Sequence, residues 1–208
     1  MRDALIVALS KRWLRCLFRV TLRIEYAGLQ HVPATGGALI IPNHQSYLDP
    51  LFVGAVLPRS VRYMALKQLF TYRPIALVLR YLGAFPVNAR SADRAAVKTT
   101  LTCLRRGELV MIFPEGERTA DGRVSQFFEG FARIALIGQV PIVPVTICGA
   151  TRVWPRSARW PRPAKVRLTF HSPIVPSDYL ATPIQSAADI TRRVRAVVET
   201  ALPVEAAR

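Results

Sequence analysis

Apolar and polar positions fall into blocks whose period switches between two residues and three to four. Projected at roughly 100° per residue, residues 2–22 put Leu5, Leu9, Trp13, Cys16, Leu17 and Val20 on one face, with Lys11, Arg12, Arg15 and Arg19 beside it. This pattern predicts an amphipathic helix. Residues 22–28 alternate and then meet Gly28, as a strand would. Residues 37–43, GALIIPN, are a continuous apolar run, the pattern of a strand buried on both faces. Further along, the pattern predicts helices over 50–57, 74–82, 130–137 and 186–202, and strands over 61–66, 83–88, 108–114, 140–149 and 164–171. Residues 91–107 carry another helix, with Ser91 as N-cap and Gly107 as its stop. Strands alternating with helices predict an α/β single domain, a mixed and largely parallel sheet flanked by helices. The one break in composition, 151–167, is rich in Arg, Trp and Pro and reads as an exposed loop.

Charge adds a partner to this picture. The 208 residues suit one domain, and 51% hydrophobic against 20% charged excludes a disordered chain. Lys and Arg number 29 against 13 acids, a net +16, which favours a polyanionic partner: nucleic acid, an anionic membrane surface or a phosphorylated substrate. A solvated basic surface is the plainer alternative. Mean hydropathy is positive at +0.23, and apolar plus cationic character together favour the membrane over nucleic acid. The 1–22 helix fits the same surface, apolar side in acyl chains and basic side on headgroups; packing on its own domain is the other reading. Residues 151–165 interleave Arg152, Arg156, Arg159, Arg162 and Lys165 with Trp154 and Trp160, which also suits a membrane interface. No apolar run reaches the ~18 residues of a membrane span, and no secretory signal pattern is present. Cys16, Cys103 and Cys148 have no metal or disulfide spacing and read as small core residues.

Two predicted strands end in unusual chemistry. The first runs into Asn43-His44 and then Asp49-Pro50; the second into Pro114-Glu115-Gly116 and Arg118. Residues five apart on a regular helix point roughly 140° from each other, so His44 and Asp49 cannot meet on one helix. Pro50 resolves this, because proline suits the first helical position and restricts the residue before it. Asp49 then becomes the N-cap, His44 stays in the preceding loop, and the loop can fold imidazole onto carboxylate. Such a pair makes a general base, the carboxylate fixing the tautomer. A structural His beside an ordinary cap is the alternative. Strand C-terminal ends are where α/β domains bind ligands, which favours the catalytic reading. At the second strand end, Gly116 permits an unusual dihedral or a close backbone approach, and Arg118 offers a planar fork for phosphate.

Together the two stretches resemble the glycerolipid acyltransferase family, typified by bacterial 1-acylglycerol-3-phosphate acyltransferases. The NHxSxxD motif is met by Asn43, His44, Ser46 and Asp49, and FPEGxR by Phe113, Pro114, Glu115, Gly116 and Arg118. Pro144 in IVPVTI matches a Val/Ile-Pro strand element, and Gly83, Phe85 and Arg90 approximate a further motif, with Arg90 one residue later than the family spacing. The resemblance spans roughly residues 25–175. It implies the family's fold, with 23–208 as the acyltransferase domain behind the helix. It implies His44 as general base and Asp49 as its orienting partner, without an acyl-enzyme. Glu115, Gly116, Arg118 and Arg90 would bind the acceptor. The implied donor is an acyl thioester, acyl-CoA or acyl carrier protein, and the implied acceptor is a lysophospholipid such as 1-acylglycerol-3-phosphate. No metal or other cofactor and no nucleic acid would be needed. The expected place of work is the cytoplasmic face of the cell membrane, held peripherally or monotopically. Two alternatives stay open: another lyso-lipid acceptor, such as a lyso-aminolipid, and a non-catalytic basic membrane-binding module.

Overall fold

The apolar runs become the middle of one sheet. In the computed structural model, which describes residues 13–14, 16–18, 20, 22–88, 93–119, 121–155, 158–175 and 183–202, the strands are β1 (Glu25–Ala27), β2 (Ala38–Pro42), β3 (Val61–Leu66), β4 (Ala84–Val87), β5 (Leu109–Met111), β6 (Ile142–Cys148) and β7 (Arg167–Phe170). Their order is β1-β7-β6-β2-β5-β3-β4. The five strands β6, β2, β5, β3 and β4 run parallel. β7 is antiparallel to β6, and β1 pairs parallel with β7. The helices are α1 (Asp49–Val56), α2 (Arg73–Tyr81), α3 (Arg94–Arg105), α4 (Gly130–Gly138) and α5 (Pro183–Thr200). This is the α/β domain with a mixed, mostly parallel sheet that the alternation predicts.

β2 shows why its sequence is apolar throughout. Ala38 and Ile40 enter the core shared with Phe52 and Val53 of α1. Leu39 and Ile41 enter the opposite core, with Leu104 of α3, Phe131 and Ile134 of α4 and Val194 of α5. Successive side chains alternate between two dry faces, so no position tolerates a polar residue. From β2 the chain travels to β3 on one side and later returns to place β6 on the other. β2 therefore stands at the reversal of strand order, where parallel α/β sheets open a crevice at their C-terminal edge.

Several expectations are corrected in detail. The cap of α3 is Asp93: its carboxylate accepts from the Ala96 amide at 3.0 Å, and also from the Asn88 amide and side chain. Ser91 lies outside the described residues. Asp49 is the first helical residue rather than the N-cap. Its N–H donates to the Ser46 carbonyl, a turn that carries the backbone into the helix early, and Leu48 takes the cap position. The 151–167 loop is anchored at both ends by fully buried Val153 and Val166, although Trp160 stands exposed. Cys103 is buried, but Cys148 is only half-buried and Cys16 is exposed.

Of the predicted 2–22 helix, Trp13, Leu14, Cys16, Leu17, Phe18 and Val20 are described and helical, and Leu22 is described just past the helical stretch; the other residues lie outside the described set. Phe18 and Leu22, neither of them on the projected apolar face, are buried, and Phe18 meets Phe52 edge-on at 5.2 Å. No helix among the described residues is long and apolar enough to cross a membrane.

Hydrogen bonds from the Ala96 and Asn88 amides hold the Asp93 carboxyl below its usual range. A lowered folded pKa stabilises the native state above the unfolded value, about 3.9, and that contribution disappears as pH falls through the folded value. Asp93→Ala should therefore melt at a lower temperature than the parent at about pH 6, with the difference closing below about pH 4. Thermal melts followed by circular dichroism across that range check this.

Candidate active site

The segment after β2 is pegged residue by residue. Asn43 continues the β2–β6 ladder with its side chain: its Nδ2 donates to the Ile147 carbonyl at 3.0 Å and its Oδ1 accepts the Ile147 N–H at 2.7 Å. Gln45 is buried and bridges two other loops, donating to the Gly122 carbonyl and accepting from the Ala150 amide. The Ser46 hydroxyl donates to the Trp154 carbonyl and accepts from the Leu48 amide. His44 is fixed through its backbone on both sides. Its N–H donates to Glu115 Oε1 at 2.7 Å, and its carbonyl accepts the Thr119 N–H at 2.9 Å.

The imidazole is held as firmly. Nδ1 lies 2.9 Å from Asp49 Oδ2, and the ring stacks on Phe113 with centroids 4.1 Å apart. Asp49 is fully buried at the start of α1, where the helix dipole favours a carboxylate. The same Oδ2 accepts the amides of Gln45 at 2.6 Å and Ser46 at 2.7 Å. An oxygen already receiving two N–H groups acts as acceptor, so this network assigns the ring hydrogen to Nδ1. Nε2 is left with its lone pair and has no hydrogen-bond partner among the described residues. With 18% of its side chain exposed, His44 is sheltered yet reachable.

The second strand end lies against the first, as β5 pairs with β2. Glu115 is buried, and its carboxylate turns inward: Oε1 takes the His44 amide, and Oε2 takes the Ser125 amide at 3.0 Å and hydroxyl at 2.7 Å. Its geometry is that of a brace between loops. Gly116 has φ of +73°, a left-handed conformation that suits glycine, and an added Cβ would sit 3.3 Å from the exposed Phe128 ring. The half-buried Arg118 lays its guanidinium over the Tyr47 ring at 3.4 Å from the centroid. Tyr47 in turn lies 5.2 Å from the Trp154 ring. Arg118 Nη1 is buried without a hydrogen-bond partner among the described residues. A buried guanidinium donor left unbonded is costly, and an anion at that point would relieve the cost.

The structure thus brings together His44, Asp49, Glu115, Gly116 and Arg118. Arg90 lies outside the described residues. Sequence reasoning missed Tyr47, which carries the Arg118 stack, and Ser125, which completes the Glu115 brace; it assigned Trp154 to a membrane interface, whereas the half-buried ring lies against Tyr47 and packs on the core. An aromatic three residues past His44 was the available signal for Tyr47; nothing local marks Ser125.

Comparison with known proteins identifies the family. A family model described as Acyltransferase matches residues 23–148. The 1-acyl-sn-glycerol-3-phosphate acyltransferase of Bacillus subtilis (strain 168) is 31% identical over 156 residues, 74% of this chain and 75% of that protein. The chloroplastic 1-acyl-sn-glycerol-3-phosphate acyltransferase LPAT1 of Arabidopsis thaliana is 28% identical over 80% of this chain, and the match spans 48% of the plant protein's length. The crystal structure of the 1-acyl-sn-glycerophosphate acyltransferase PlsC from Thermotoga maritima superposes with a TM-score of 0.80 at 24% identity, covering 95% of this chain and 78% of that one, a likeness of fold. A family match over more than half of the sequence, joined to the Bacillus relative's identity across most of both proteins, establishes that this chain belongs to the acyltransferase family.

Proposed function

We propose that the chain transfers a fatty acyl group from an acyl thioester, on coenzyme A or acyl carrier protein, to the free hydroxyl of 1-acylglycerol-3-phosphate, giving phosphatidic acid at a membrane surface. The observation that carries the reading is the His44–Asp49 pair, 2.9 Å apart, with the far ring nitrogen unbonded and the loop fixed at both backbone groups of His44. Relatives named as 1-acyl-sn-glycerol-3-phosphate acyltransferases support the acceptor.

On this reading Nε2 takes the acceptor's hydroxyl proton as its oxygen attacks the thioester carbonyl carbon. Asp49 holds the ring and offsets the positive charge that forms on it. The C–S bond then breaks, and the imidazolium returns its proton to the departing sulfur. A thioester is activated already, so no acyl-enzyme is required. Arg118, with its unbonded Nη1, is the donor placed for the acceptor's phosphate. Its stack on Tyr47 fixes the fork before substrate arrives, which lowers the ordering cost of binding. Glu115 acts at one remove, setting the His44 backbone.

Mass spectrometry of the purified chain with lysophosphatidic acid and an acyl thioester should detect phosphatidic acid. His44→Ala should lose roughly 10²–10⁴-fold in kcat/KM while its circular dichroism is unchanged. A His44→Ala protein as active as the parent would refute the reading.

Arg118→Ala should act mainly on the acceptor, raising its KM by about ten-fold or more with the thioester KM little changed. Steady-state kinetics with each substrate varied in turn separates the two.

Glu115→Gln leaves one of the two oxygen positions as an NH₂ group facing N–H or O–H donors. Urea denaturation should show a loss of about 1–3 kcal/mol. Unchanged stability with a raised acceptor KM would instead place Glu115 on substrate.

A further inference from the structure

We infer that the apolar outer arc of α2, with the 3-10 turn Lys67–Phe70 before it, is a docking face for the surface of an anionic lipid bilayer. This deepens the proposed reading, since it gives the membrane a specific contact on the domain. An ordinary surface helix turns its apolar stripe inward. In α2 the order is reversed. Only Ala76 is buried, while Leu77 is 69%, Tyr72 62% and Val78 58% exposed. Leu66, Leu69 and Tyr81 extend the same exposed set. Projected at about 100° per residue, Leu77, Tyr81, Val78 and Ile75 span an outward arc of about 160°. Arg73 and Arg80 lie at one border of that arc. A contiguous apolar patch of this kind marks an interaction surface.

Charge decides which occupant fits. No acidic residue occurs between Asp49 and Asp93, whereas Arg73 and Arg80 border the patch and Lys67 begins the turn before it. A second copy of the chain seated face to face would bring these cations together, with no acid in the segment 50–92 to answer them. Anionic headgroups supply the missing charge, and acyl chains take the apolar arc, the arrangement of a helix lying in an interface. Position supports the same occupant. β3 runs parallel to β5, so Leu66 and the turn after it leave the sheet at the edge where His44 and Arg118 stand. A bilayer touching this face would lie beside the catalytic pair.

Hydrogen–deuterium exchange of the full chain tests this directly. Peptides covering 66–81 should slow on adding vesicles of phosphatidylglycerol and phosphatidylcholine, and much less on phosphatidylcholine alone. Flotation with the mixed vesicles should fall by about ten-fold or more for Leu77→Glu/Val78→Glu. That variant should keep its turnover of a short-chain lysophosphatidic acid held below its micellar concentration, which reports on the chemistry separately. Three results would overturn the inference: no vesicle-dependent protection of 66–81, unchanged flotation of the variant, or protection already complete without vesicles. The last would mean that a second copy or the chain's own residues 1–12 cover the face; sedimentation equilibrium separates these two.

Discussion

Everything at this site depends on a carboxylate that never faces solvent. Glu115 ties the loop leaving β5 to the backbone of His44, on the loop leaving β2, and to Ser125 further on. Both oxygens of this buried carboxylate are satisfied, and removing either partner would leave a charged oxygen unpaired away from water, so the brace holds together or fails as a unit. The Thr119–His44 backbone bond closes the same junction from the other side. Two loops from different strands become one rigid piece, and the imidazole is positioned by its main chain before its side chain makes any contact.

Onto that junction the parallel sheet adds direction. β2 is pinned between β5 and β6, and Asn43 prolongs the pairing with β6 past the last strand residue. Asp49 then spends one oxygen on three donors: the imidazole and two amides of the loop that carries it. The short HxxxxD spacing therefore works because the intervening backbone curls around the carboxylate. A continuous helix could not achieve this, since it would point the two side chains well apart.

Much of this was legible from sequence, for reasons that differ by element. β2 was plain because both of its faces are buried, so every residue had to be apolar. The His44–Asp49 pairing was legible because Pro50 forces a helix start between them, though the turn from Ser46 moved that start one residue earlier than expected. Glu115 was read as reaching for substrate; an acid after Pro114 can turn either way, and only the amides of His44 and Ser125, far apart in sequence, draw it inward. Tyr47 offered only its aromatic ring near His44 as a signal, because its partner Arg118 comes from another strand end. α2 was legible as a helix but not in its orientation. Periodicity gives an apolar arc, and it cannot say whether that arc faces core or surroundings.

That reversed helix bears on how the proposed reaction could be organised in space. An acceptor confined to a bilayer and a thioester arriving from water place opposite demands on one cleft. The β3–β4 side of the sheet presents an apolar face flanked by Lys67, Arg73 and Arg80, while the His44–Asp49 pair sits inward, at the junction of β2 and β5. On this arrangement, phosphate recognition by Arg118 falls between the two, where a headgroup lifted from the lipid surface would come to rest. Its platform, Tyr47 against Trp154, belongs to the loops after β2 and β6 and not to the lipid-side strands. The guanidinium would therefore keep its place as the protein rocks on the membrane, and the distance from phosphate to imidazole would be set by the braced loops at the ends of β2, β5 and β6.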